Sequence, residues 1–249
     1  VHEARKSFKR IRAALRLARG QLEASVYERE MSSFRDAGRQ LSSVRDSEVL
    51  IDALDSICVR YPQDLPASGF SNLREMLVAE MRAAEETPGQ PTAAHEAVLE
   101  ELARARRRLP SWKIESDDPE ALAGGLERIY RSGRRAVQAA AAQQSDERLH
   151  EVRKRSKELW HAAEILHDTA PEQMEPLLSL AHRISDLTGE DHDLAILARR
   201  VQESEDRFAG RSEQKRLQRL IARRRRRLQR HALRLGARLY HASPRFSFP

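Results

Sequence analysis

Along almost the whole chain, apolar residues recur at the three-and-four spacing of an α-helix, while the period-2 alternation of a half-buried strand is nearly absent. Little interrupts that pattern. Gly and Pro number 10 each in 249 residues, below the roughly 12% that the two average together. The spacing predicts an all-α chain of about nine or ten helical segments, the longest running from Arg211 to Tyr240. Breaks are expected at 61–69, 87–91, 110–119, 143–146, 170–176, 188–189 and 204–212, where Pro, Gly and short polar residues gather. Pro119 behind the acidic pair Asp117-Asp118 reads as a helix start. Short polar connections between helices imply antiparallel neighbours, hence a bundle.

Charge narrows the function classes. The chain carries 45 Lys+Arg against 38 Asp+Glu, a formal charge of +7. Residues 211–240 alone hold twelve basic residues and one acid, Glu213, so the rest of the chain is net acidic. Asymmetry of this kind speaks of partners, and the partner it implies is a polyanion. A single cysteine, Cys58, excludes an intrachain disulfide framework and a Cys-based metal cluster. No apolar run approaches the roughly 20 residues that span a bilayer. The expectation is a cytoplasmic protein that neither enters a membrane nor needs a cofactor.

The chain also repeats itself. His-Glu-Ala-Arg-Lys-Ser-Phe-Lys at 2–9 returns as His-Glu-Val-Arg-Lys-Arg-Ser-Lys at 150–157. Shifted by 148, His2/His150, Glu3/Glu151, Arg5/Arg153, Lys6/Lys154 and Lys9/Lys157 are identical pairs. A second echo, at a shift of 147, sets Arg45-Asp46-Ser47-Glu48-Val49-Leu50 against His192-Asp193-Leu194-Ala195-Ile196-Leu197. Two echoes in the same order at nearly one spacing describe a duplicated helical unit. The repeats are expected over 1–116 and 117–249. The helix from about Asp118 to Ala142 precedes the second His motif, so a matching helix is expected upstream of Val1 in the natural chain.

On a helical wheel, at about 100° per residue, His2, Arg5, Lys9, Arg12 and Arg16 fall within about 80° of one another. Phe8, Ile11, Leu15 and Ala18 form the neighbouring stripe and should face the core. His150, Arg153 and Lys157 take the same angular positions in the second copy, beside Val152, Leu159 and Ala163. There Trp160 stands in place of Arg12 and Glu158 in place of Arg10, so the copies are chemically unequal. These basic faces are nearly free of acids, Glu164 excepted, and so lack the i, i+4 partners of a merely solvated helix. The last helix repeats the theme. Lys215, Arg219, Arg223, Arg226, Arg230 and Arg234 form one stripe, opposite Leu217, Ile221, Leu228, Leu235 and Leu239.

The paired helices resemble the signature helices of the CHAD family, the conserved histidine α-helical domain. Phe34-Arg35-Asp36 to Arg39, Leu41 to Asp46, Tyr130 to Arg135, Gly189 to Leu194 and Leu235 to Tyr240 share the resemblance, which spans nearly the whole chain. It implies two pseudo-symmetric four-helix bundles around a basic central cavity or pore. It also implies binding of inorganic polyphosphate there, with recruitment to polyphosphate granules. Carried across position by position, the phosphate contacts are His2, Arg5, Lys6, Lys9, Arg10 and Arg12 in the first copy. The second copy supplies His150, Arg153, Lys154 and Lys157. Arg45, Arg134 and Arg135 match further family positions, and the basic stripe of the last helix adds Arg219, Arg223, Arg226 and Arg230. Some family members are fused to a CYTH-type triphosphatase, a β tunnel for which this chain has no strand signal.

Catalysis is not expected. Glu158-x-x-His161 and Glu164-x-x-His167 have the spacing of di-iron bundle pairs, but such sites take their pairs from different helices, and both of these lie on one. Asp191-His192-Asp193 reads as a helix cap with a phosphate-facing His. No Gly-rich phosphate loop or nucleophile elbow is present. Nucleic-acid binding is the rival class, because Arg223 to Arg227 would also neutralise DNA or RNA phosphates. With no helix-turn-helix pattern and few stacking aromatics, such binding is expected to be weak or absent. A scaffold docking an acidic protein, or an enzyme acting on phosphate chains, stays open from sequence alone.

Overall fold

A computed structural model describes residues 2–40, 46–66, 70–85, 93–116, 118–204, 208, 210–241 and 245–248; the side chains of His2 and Arg5, and all of Arg45, lie outside what it describes. Among the described residues the protein is helical and has no strand. In chain order the helices are α1 (His2–Leu17), α2 (Ala24–Gln40), α3 (Asp46–Arg60), α4 (Ser71–Glu85) and α5 (Ala93–Arg108). Then come α6 (Ala123–Ala142), α7 (Asp146–Leu166), α8 (Pro171–Glu203) and α9 (Arg211–Leu239). No helix among the described residues is long and apolar enough to cross a membrane.

Two readings of the sequence need correction here. The break expected at Thr188-Gly189 does not occur, and α8 runs through it to become the longest helix, with 33 residues against 29 in α9. Asp191 therefore lies inside a helix and caps nothing. Gly189 is buried within α8, and the acidic pair after it, which imitates a helix start, is consumed by arginines of α9 (Arg224 to Glu190, Arg225 to Asp191). Tertiary ion pairs have overridden local propensity.

The chain forms two compact units. The first comprises Val1–Ser42, Pro91–Ser185 and Leu233–Pro249; the second comprises Ser43–Gln90 and Asp186–Ala232. Each of the expected repeats contributes to both units. The motif helices α1 and α7 fall in the first, and α3 shares the second with the stretch of α8 that echoes it.

In the first unit, α1 packs against α2, α6 and α7, and α2 also packs against α5. Phe8 and Leu15 of α1 meet Phe34 and Ala37 of α2 and Val98 and Ala105 of α5 in one buried cluster. The Phe8 and Phe34 rings sit 6.1 Å apart. The apolar stripe expected on α7 is equally buried, through Val152, Leu159 and Ala163. Gly125 fixes the approach of α6 to the end of α1. A methyl group there would overlap the Leu17 carbonyl, so only glycine lets the two backbones come this close.

The second unit has its own core. Leu54 and Ile57 of α3, Leu73 and Leu77 of α4, Leu194 and Leu197 of α8, and Leu217, Ile221 and Leu228 of α9 are all buried together. The α9 stripe read as apolar from the sequence is thus the buried face of that helix.

Candidate functional site

The first unit contains an open cavity of about 520 Å³ whose wall is mostly arginine. Arg16 comes from the last turn of α1, and Arg19 from the 3₁₀ turn Ala18–Gly20 that follows it. Arg128, Arg131, Arg134 and Arg135 come from α6, and Arg155 from α7. Glu158, Ser132, Tyr27 and Ile129 complete the lining.

Local sequence explains why these side chains converge. On α6, Leu126, Ile129, Tyr130, Gly133, Ala136, Val137 and Ala140 form the buried stripe, which leaves the arginines between them on the other faces. The Tyr130 hydroxyl donates to the Leu239 carbonyl at 2.7 Å and fixes the roll of the helix. The α6 entry is set by Asp118, whose carboxylate accepts from the Glu120 amide at 2.9 Å ahead of the 3₁₀ turn Pro119–Leu122. Thus Pro119 does open a helical segment, as its position behind Asp118 implied. Ser145 caps α7 in the same manner, accepting from the Arg148 amide at 3.3 Å. The close approach at Gly125 then brings Arg128 beside Arg16 and Arg19.

The arginines fall into two groups. Three are anchored. Arg16 pairs with Glu158 at 3.1 Å; Arg155 donates to Glu158 at 2.7 Å and to Glu151 at 2.6 Å; Arg131 pairs with Glu127 at 3.3 Å. Burial pulls the Arg155 guanidinium down, but Glu158 and then Glu151 outweigh it and hold the group above its ordinary value. Arg128, Arg134 and Arg135 make no ion pair among the described residues, and Arg19 lies over the Tyr27 ring at 5.2 Å. Seven cations therefore share one lining carboxylate, Glu158, which is itself nearly buried. The excess positive charge faces an open cavity, where an anion can reach it.

Of the contacts expected from the sequence, Arg134 and Arg135 line this cavity. The expected residues of the motif helices whose side chains are described lie elsewhere on α1 and α7. Lys6 and Arg10 are exposed, Lys9 and Arg12 half-buried; His150 and Lys154 are exposed, Arg153 and Lys157 half-buried. The two helices meet: Arg10 pairs with Glu164 at 3.5 Å, and His161 hydrogen-bonds the same carboxylate at 3.3 Å. Burial holds His161 below its ordinary value against the pull of Glu164, and Lys157 and Lys9, one from each copy, push the same way. Arg12 is likewise held low, by burial first and by Arg16 next, with Arg35 and Arg39 adding to the repulsion. Trp160, at the position of Arg12, stacks on His161 at 4.6 Å and meets His182 edge-on at 4.3 Å. It serves packing.

On α9, in the second unit, Arg219, Arg226 and Arg230 are exposed. Arg219 and Lys215 border a shallow groove with Ser212, Gln218 and Ala222. Arg223 instead reaches Asp64 at 3.4 Å and lies over the Tyr61 ring at 5.1 Å.

Sequence reasoning passed over Arg16, Arg19, Arg128, Arg131 and Arg155 as contacts. Arg16 lay on the basic stripe of α1, and Arg128, Arg131 and Arg135 follow the i, i+3, i+7 spacing of a single face, so part of the signal was present. Arg19 and Arg155 carried none, because tertiary packing alone places them. Among the described residues, no group of three His, Cys, Asp or Glu is placed to hold a metal ion. The Glu-x-x-His pairs are spent otherwise, Glu158 on two arginines and His161 on Glu164.

A family profile described as the CHAD domain matches residues 1–202, ending before α9 begins. No curated protein and no solved structure matches the chain. The matched span covers the whole of α1 to α7 and nearly all of α8, including both motif helices and every residue of the arginine-lined cavity, and the chain belongs to the CHAD domain family.

Proposed function

We propose that this protein binds inorganic polyphosphate, with the arginine-lined cavity of its first unit as a principal contact. The family is associated in general with polyphosphate binding. The observation that carries the reading for this chain is the gathering of seven arginines around about 520 Å³ with one carboxylate among them. A linear polyphosphate has about one negative charge per interior phosphate and neither base nor sugar to read. Its receptor needs pre-placed cations and no specificity pocket. Arginine suits the task, since its planar fork meets two phosphate oxygens at once and keeps its charge at any cellular pH. Lys9 and Lys157 on the packed motif helices, and the exposed arginines of α9, offer further charge to a long chain. The reading is of a binding protein, with no bond made or broken, acting in the cytoplasm at polyphosphate granules.

The deciding experiment is competition for labelled polyphosphate by unlabelled polyphosphate and by duplex DNA at matched phosphate concentration. Polyphosphate should compete far better, because a duplex is too wide and stiff to enter the cavity. Affinity should fall steeply with salt, since each neutralised phosphate releases condensed counterions; for B-DNA the slope is about −0.9 per phosphate. Equal competition by DNA would favour a nucleic-acid-binding protein, and a flat salt dependence would remove the basic surfaces from consideration.

A further inference from the structure

We infer that Glu158 is a positioning residue of the arginine cavity: its carboxylate holds Arg16 of α1 and Arg155 of α7 in the orientation from which they meet a phosphate chain. The inference rests on the polyphosphate reading of that cavity. Glu158 is 8% exposed and sits on the cavity lining. One of its oxygens takes Arg16 at 3.1 Å and the other takes Arg155 at 2.7 Å. The two arginines come from different helices, so a single carboxylate fixes the relative placement of two forks. Glu151, at 2.6 Å, steadies Arg155 from its Nε side.

Each guanidinium has five N–H donors, and the contacts with glutamate leave others available. Ordering a long side chain on binding costs affinity, and an arginine already held in place avoids that cost. Arg128, Arg134 and Arg135, which have no carboxylate to hold them among the described residues, must be ordered by the ligand. Glu158 thereby explains an oddity of the repeat. The second copy has an acid where the first has Arg10, so at this position α7 contributes an anchor for cations in place of a cation.

A contrary role would make Glu158 a competing anion that phosphate must overcome. The two roles differ in sign. Removing the carboxylate raises the cavity charge by one, so if charge alone mattered, Glu158→Gln would bind polyphosphate more tightly. Positioning requires the opposite.

The test is titration of Glu158→Gln and Glu158→Asp with inorganic polyphosphate of defined length at several salt concentrations, alongside melting curves. Glu158→Gln should bind about tenfold more weakly, the scale of one misaligned charged hydrogen bond. Glu158→Asp, with charge unchanged but reach shortened by one methylene, should also weaken binding. The salt slope of Glu158→Gln should become shallower by about one to two phosphates, as Arg16 and Arg155 cease to count. In an Arg16→Gln background the Glu158→Gln effect should shrink, because the residue it acts through is gone. Should Glu158→Gln fail to fold, Glu158→Asp decides. Folded variants that bind as well as or better than the wild type overturn the positioning role. A wild-type chain that ignores polyphosphate overturns the proposed function instead.

Discussion

The second unit and the cavity of the first put arginine to different uses. In the second unit, four guanidinium groups tie helix to helix through carboxylates. Arg224 grips Glu190 with two bonds of 2.6 Å, Arg225 takes the buried Asp191 at 3.0 Å, Arg200 pairs with Glu80, and Arg74 grips Asp55 with two bonds of 2.9 Å. In the first unit the cavity leaves Arg128, Arg134 and Arg135 with no such match among the described residues. Yet the sequence is far more basic around α9 than around α6. Arginine density alone therefore does not separate the arginines that tie helices together from those left facing a cavity. In the run Arg223 to Arg227, the central Arg224 and Arg225 tie α9 to α8, while Arg226 and Arg227 are exposed.

The largest expected effect breaks a matched pair. Asp191 accepts from Arg225 and, at 2.9 Å, from Gln229, all close to the core of the second unit. Asp191→Ala takes a buried carboxylate away from a half-buried guanidinium and should cost on the order of 3–5 kcal/mol of stability, the scale of a broken buried pair. Thermal or denaturant unfolding measures it. Polyphosphate affinity of the folded fraction should be nearly unchanged. A large affinity loss without a stability loss would move Arg225 out of the structural group and into the site.

Next in size are reversals of the unmatched group. Arg128→Glu and Arg135→Glu should each weaken polyphosphate binding by about 1–3 kcal/mol, in line with charged hydrogen bonds. Melting temperature should hold, since neither gives up an ion pair among the described residues. Arg106→Glu, an equal charge change at an exposed position on α5 outside the cavity, is the control. If it weakens binding as much, the protein attracts polyanions diffusely and the cavity has no special standing.

How much of this was legible in the sequence depends on how local each feature is. Helicity and the core faces of α1, α7 and α9 follow from spacings within one helix, and the duplicated motif from residue identities alone; Phe8, Leu15, Val152, Leu217 and Leu228 are buried accordingly. The continuity of α8 was hidden, because Thr188, Gly189 and two acids imitate a boundary until α9 supplies their partners. The cavity was half legible. Arg134 and Arg135 came from the family resemblance, but Arg155 and Glu158 acquire their roles only when α1, α6 and α7 pack. A carboxylate that departs from a basic repeat looks like lost function in one dimension, whereas in three it lies between two guanidinium groups.

The smallest expected effect concerns pH and lies in the first unit, where an ion cluster ties α2 to α5. Arg108 of α5 donates to the fully buried Glu30 of α2 at 2.7 and 2.9 Å and to Glu101 at 3.0 Å; Ser33 donates to Glu101 at 2.7 Å. The Ser33 hydroxyl, with Arg108 and Arg104 behind it, overcomes burial and holds the Glu101 carboxyl at about 2, below its ordinary 4.5. A carboxyl whose folded value is depressed binds its proton less readily in the folded state than in the unfolded one. Its contribution to stability is thus complete above about 4.5 and drains away as pH falls from there toward about 2. Melting temperature should decline over that window, and Glu101→Gln should flatten part of the decline while lowering the neutral-pH value modestly. Polyphosphate binding at neutral pH should be indifferent to the change, because this cluster is internally matched and lines no part of the cavity. A Glu101→Gln variant with an unaltered acid profile would show that Glu30 alone carries the acid sensitivity of the α2–α5 contact. One that bound polyphosphate more tightly would show that a carboxylate outside the cavity still subtracts from its field, and would blur the division between matched and unmatched arginines.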